Sequence, residues 1–78
     1  SFYHKNQVVK ISDINSRFKE GEKVMLSSLL KAGLIDTIKA PVKILGGGGL
    51  QVKNLEFIGV QASKSAQEQI KKAGGVIK

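Results

Sequence analysis

Short β-rich runs alternate with glycine-closed helical stretches along this chain, and that alternation leaves room for few folds. Gln7-Val8-Val9-Lys10-Ile11 is the first β-rich run. Ser12 then offers an N-cap oxygen and Asp13 a charge suited to a first turn, so a short helix is expected over about Asp13 to Phe18, ended before Gly21. Between Val24 and Ala32, Leu26, Leu29 and Leu30 fall at i, i+3 and i+4, one apolar helical stripe. Gly33 stands where a C′ residue belongs, and Leu34 where a Schellman motif makes its apolar contact. A polar connector over residues 36–40 ends at Pro41, which biases Ala40 to an extended shape.

Val42-Lys43-Ile44-Leu45 reads as a strand broken by Gly46 to Gly49, and Leu55 to Ala62 as another, with Gly59 marking a bulge or close packing. The last helix opens within Ser63-Lys64-Ser65-Ala66. Either Ser63 is its cap, or Ser65 is, paired with Glu68 in a capping box. Ala66, Ile70 and Ala73 share the inward face, Gly74-Gly75 ends the helix, and Val76-Ile77 adds a last strand. The order strand, helix, helix, strand, strand, helix, strand predicts an α/β domain, a small mixed sheet with packed helices. Residues 7–78 are expected to form that single domain, with residues 1–6 as a flexible lead-in. At 78 residues the chain makes one domain, which buries only about 60% of its unfolded surface, so a deep catalytic cleft is hard to support. With aromatics at 5% and no Trp, the core must come from Val, Ile, Leu and Ala.

Charge points to the class of partner. Thirteen basic residues against six acidic give a net charge of +7. Residues 1–40 carry 7 bases and 4 acids and residues 41–78 carry 6 and 2, so the charge is not confined to a tail. Such a field favours polyanions, nucleic acid before an anionic membrane. Every base but Arg17 is Lys, a point charge suited to phosphate and shape rather than to bidentate reading of bases. No apolar run approaches the roughly 18 residues of a membrane span.

Catalytic chemistry finds little to work with. His4 is the one His and there is no Cys, so the usual zinc sites and the common nucleophile–base pairs lack members. The glycine run is not a P-loop, because Leu50-Gln51-Val52 follows it where a helix should open and no Gly-Lys-Ser/Thr occurs. It reads as a tight turn between two strands that also lets an RNA backbone come close, with Gly46 and Gly48 as contacts. Lys43 and Lys53 flank it. Lys64 and Lys71 lie seven apart on the last helix, two turns along one face, with Lys72 beside them. These seven residues form the expected RNA-contacting surface. Phe18 and Phe57 sit at apolar positions and are expected in the core rather than as stacking platforms.

Several of these residues fall into a familiar order. Val42-Lys43-Ile44-Leu45-Gly46, then Gly48 and Leu50, resembles a V-K-(I/V)-L-G-x-G-x-L stretch. Ser63-Lys64-Ser65-Ala66, then Ile70, Ala73, Gly74 and Gly75, resembles S-K-S-A-x-x-x-I-x-x-A-G-G. Val8, Val9, Ile11, Asp13, Ile14, Gly21, Val24, Leu29 and Gly33-Leu34-Ile35 precede them in the same order. Over residues 7–77 the chain resembles the C-terminal domain of the bacterial large-subunit ribosomal protein L-fifteen, whose fold the L-eighteen-e proteins share. The resemblance implies an irregular superhelix of ββα units. It implies large-subunit ribosomal RNA and neighbouring ribosomal proteins as partners, a place in the cytoplasmic or an organellar ribosome, and a role in assembly without catalysis, cofactor or small-molecule substrate.

Three departures carry expectations of their own. The family's long Gly/Lys/Arg-rich N-terminal arm is not within this sequence, so residues 1–6 read as the stub of one. Met25 and Leu26 stand where the family has Thr-Pro, so the second helix is expected to start at Ser27. Phe57-Ile58-Gly59-Val60-Gln61 is nearly uncharged where the family carries Lys and His, which makes the strand around Ile58 an alternative surface, for a protein partner.

Overall fold

The computed structural model describes residues 7–78, and the lead-in expected at residues 1–6 lies outside them. Nine elements follow in order: β1 (Gln7–Lys10), α1 (Ile11–Arg17), β2 (Lys23–Val24), α2 (Leu26–Lys31), β3 (Val42–Leu45), β4 (Glu56–Phe57), β5 (Gln61–Ala62), α3 (Lys64–Lys72) and β6 (Val76–Ile77). Consecutive strands never pair. They alternate between two three-stranded sheets, β1-β3-β5 and β2-β4-β6, and every pairing is parallel. The backbone is thus a coil in which each turn gives one strand to each sheet. In the first and last turns a helix, α1 or α3, carries the chain from one sheet to the other. In the middle turn residues 46–55, which hold the glycine run, make that crossing.

This alternation is the irregular ββα superhelix that the resemblance implied, and the α/β class holds. The single mixed sheet is corrected to two parallel ones. Parallel neighbours cannot be joined by a tight turn, so each strand must leave its sheet before its neighbour can be laid down. For the same reason the glycine run is a crossing between sheets, not a tight turn between paired strands. Gly59, at φ +69°, divides the expected Leu55–Ala62 strand into β4 and β5 and sends them to different sheets.

The helix starts follow burial more closely than capping signals. Ile11 and Ile14 are both fully buried, so α1 begins at Ile11, directly from β1, and Ser12 is not its cap. α2 starts at Leu26, one residue before Ser27. The Ser28 hydroxyl accepts from the Met25 N–H at 2.8 Å and stands in for the missing cap. Val24, expected at the head of that helix, pairs as β2 with β4 instead. Leu29 is buried, whereas Leu30 is 40% exposed. The Schellman end forms as expected: Gly33 takes φ +78°, and Leu34 N–H donates to Leu29 O at 3.0 Å. Ser63, rather than Ser65, caps α3.

Val9, Ile11, Ile14, Val24, Leu29, Val42, Ile44, Leu55, Phe57 and Ile70 form the fully buried centre. Phe18 and Phe57 both lie inside, as their positions suggested. Among the described residues no polar or charged side chain is buried, so the charge of the chain stays on the outside.

Candidate nucleic-acid interface

The glycine crossing is held from both sides. Against α3, Gly46 sits so close that a Cβ there would lie 2.5 Å from Ser65 Oγ and 3.0 Å from the Ala66 nitrogen. Ser63 Oγ accepts from both Ala66 N–H, at 3.2 Å, and Gly46 N–H, at 3.4 Å, so one hydroxyl caps the helix and ties the loop to it. Against α1, Asn15 Nδ2 donates to Gly49 O and Asn15 Oδ1 accepts from Gln51 N–H, each at 2.8 Å. Between these clamps Gly47, Gly48 and Gly49 are exposed, and their N–H groups find no partner among the described residues.

The expected contact residues separate into groups. Lys72 lines a cavity of about 330 Å³ together with Gly48, Gly49, Leu50 and Gln69. Lys71 points to the other side of α3, where it lines a cavity of about 540 Å³ with Gln67, Ile70, Gly75, Val76 and Ile77. Lys64 lies two turns before it on that side, and both are exposed. Exposed Lys53 precedes Asn54, whose N–H donates to Ala73 O at 3.0 Å, so Lys53 belongs to the C-terminal end of α3. Lys43 stands apart. It is half-buried on β3, opposite Val8 of β1 and Gln61 of β5, and does not line the glycine cavity. Gly46 is committed to packing under α3, whereas Gly48, at φ +89°, is in the exposed part of the crossing.

Electrostatically the five lysines are uncommitted. The ion pair among the described residues joins Lys78 to Glu56, and none of Lys43, Lys53, Lys64, Lys71 or Lys72 has a carboxylate partner there. The hydrogen bond from Lys78 holds the Glu56 carboxyl below its ordinary range. Desolvation opposes that shift, and the charges of Lys78 and Lys23 add to it. Among the described residues no cluster of His, Cys, Asp or Glu could hold a metal ion, and no helix is long and apolar enough to cross a membrane.

The strand around Ile58 is reshaped by the fold. Val60 is only 8% exposed and belongs to the core, while Gln61 is on the surface. Ile58 is half-buried and lines an apolar cavity of about 340 Å³ with Met25, Leu26, Ser27, Ile38 and Gly59. Two side chains that shape this surface escaped the sequence reading, Asn15 and Gln69. An Asn inside a short helix, where it is a poor helix former, was the available signal for the first. Nothing in the sequence marked the second.

Comparison with known proteins gives one answer. The model of the family described as ribosomal proteins 50S-L15, 50S-L18e and their 60S counterpart matches residues 8–78. A large ribosomal subunit protein uL15 of Corynebacterium urealyticum is 44% identical over 71 residues, which are 91% of this chain and 47% of that protein. Its namesake in Mycoplasmopsis agalactiae is 45% identical over 69 residues, 88% of this chain and 46% of that protein. That of Parasynechococcus marenigrum is 41% identical over 68 residues, 87% and 44%. The chain spans about half the length of the curated relatives it matches. A family match over nearly all the described residues means that this chain belongs to the 50S-L15 and 50S-L18e family of ribosomal proteins.

Proposed function

We propose that this chain is a structural constituent of the large ribosomal subunit, which binds ribosomal RNA and supports subunit assembly without catalysing a reaction. Membership of a ribosomal protein family carries the reading. The unpaired lysines supply its chemistry. A carboxylate-paired lysine must lose one partner to gain another, whereas an unpaired one exchanges only water and counterions for phosphate. Lys53, Lys64, Lys71 and Lys72, together with Lys43 on the sheet, are the proposed phosphate contacts, and Gly48 lets the polynucleotide approach the main chain. The rigid clamps on the crossing mean that little ordering remains to be done on binding. The reading needs no cofactor, small-molecule substrate or membrane, and it places the chain in the cytoplasmic ribosome.

The apolar cavity at Ile58 suits a neighbouring ribosomal protein better than RNA, because Met25, Leu26 and Ile38 offer nothing to a phosphate. It adds a second partner to the same assembly role.

Filter binding of the chain to protein-free large-subunit ribosomal RNA tests the reading. If about 5 phosphates are neutralised, log affinity falls with log salt at a slope on the order of −4. Binding that ignores salt refutes RNA phosphates as the partner.

A further inference from the structure

Gly47 and Gly49 are glycines that the domain itself does not require. Neither takes a positive backbone angle that would exclude a side chain, and a Cβ built on either meets no atom within 4 Å. Their neighbours differ: Gly48 takes φ +89°, and Gly46 is pressed against α3. A glycine loses more chain entropy on folding than alanine does, and at positions 47 and 49 the domain's own packing offers no return for that loss. Close approach from outside accounts for both.

The same place carries a second, independent sign of a ligand. Gln69 lines the cavity beside Gly48, Gly49, Leu50 and Lys72. Its Nε2 lies 3.4 Å from Ser65 Oγ, but its Oε1 is buried with no hydrogen-bond partner. The terminal torsion of a glutamine is soft, so a donor entering the cavity can meet that oxygen with little rearrangement. The cavity is therefore edged by an ammonium group and the unpartnered N–H groups of the glycine run, with one unmet acceptor set back in its wall. A phosphodiester group alone satisfies the first two but carries no proton for the third at neutral pH. A peptide without a carboxylate meets the N–H groups with carbonyls but leaves Lys72 without an anion. A ribose-phosphate satisfies all three, because its 2′-hydroxyl donates.

We propose that the cavity lined by Gly48, Gly49, Leu50, Gln69 and Lys72 receives one ribose-phosphate unit of RNA. Its phosphate lies against the bare main chain of residues 47–49, and its sugar hydroxyl donates to Gln69 Oε1. This rests on the RNA-binding reading and names the subsite within it.

The test uses the 78-residue chain and its G47A and G49A variants, with protein-free bacterial large-subunit ribosomal RNA as the probe. Thermal unfolding and filter binding are read on each. Both variants are expected to melt at or above the parent's temperature, yet to bind roughly tenfold more weakly, the loss of one charge-assisted hydrogen bond. Gln69→Met is expected to shrink, several-fold, the parent's preference for the RNA over a single-stranded DNA copy of it. Parent-like affinity of G47A and G49A at matched salt overturns the subsite while leaving the RNA-binding reading intact. Failure of the parent itself to bind the RNA overturns both.

Discussion

Replacing Gly46 with alanine tests whether the glycine crossing and α3 are one unit. The new methyl carbon would lie 2.5 Å from Ser65 Oγ, 3.0 Å from Ser65 Cβ and 3.0 Å from the Ala66 nitrogen. The hydroxyl can swing away, at the expense of its long contact with Gln69 Nε2. The other two atoms cannot, because they belong to the first turn of the helix. The helix start must therefore shift by a few tenths of an ångström. Ser63 Oγ, which bridges Ala66 N–H and Gly46 N–H, is then pulled two ways. Overpacking of this kind costs roughly 1–3 kcal/mol, and a weakened cap adds up to about 1 kcal/mol. The smaller entropy of the unfolded alanine chain offsets roughly 0.4–1 kcal/mol. A net loss of about 1–3 kcal/mol remains, which in a domain of this size lowers Tm by on the order of 10 °C. Far-UV circular dichroism during heating measures it, with G47A as the control, since its methyl meets nothing within 4 Å. A G46A protein that melts with the parent would refute the coupling of loop and helix.

Two further outcomes follow from the same contacts. Asn15→Ala removes both hydrogen bonds that hold the crossing to α1. A loss of about 1–2 kcal/mol is expected, with faster amide exchange at Gln51 and little change at Ala66, measurable by NMR hydrogen exchange. Glu56→Gln removes the pair with Lys78. Because the folded state lowers the Glu56 pKa, that pair stabilises above the ordinary carboxylate range and loses its effect as pH falls through the folded value. Parent and E56Q stability, followed by urea unfolding across pH 3 to 7, should differ at neutral pH and converge in acid.

The local grammar of the chain was readable, and its long-range pairing was not. Gly33 and Leu34 announce the end of α2, and Gly74-Gly75 the end of α3, because only a left-handed residue closes a helix in that way. The core place of Ile70 followed from helical periodicity, and those of Phe18 and Phe57 from their apolar positions. Two parallel sheets could not be read, since strands of two residues, such as Lys23–Val24 and Glu56–Phe57, carry too little pattern to name a partner. Lys64, Lys71 and Lys72 were rightly placed on one helix, but only the loop beneath that helix puts Lys71 and Lys72 at different cavities. Gly46 and Gly48 looked alike in sequence and do different work. One is packed under α3 and the other lies open to solvent, a distinction set by Ser63, Ser65 and Ala66, far along the chain.

The coiled path also sets an order of events in folding. Gln7 pairs with Val42 and Lys23 with Glu56, so neither of the first two strands has a neighbour until more than thirty further residues exist. The second sheet is completed only when Val76 and Ile77 reach β4, at the end of the described chain. Pairings so distant in sequence make for slow folding. During synthesis such a domain emerges with its strand edges bare until the last turn arrives, and a polyanion that shields its lysines early would spare it the company of other unfinished chains.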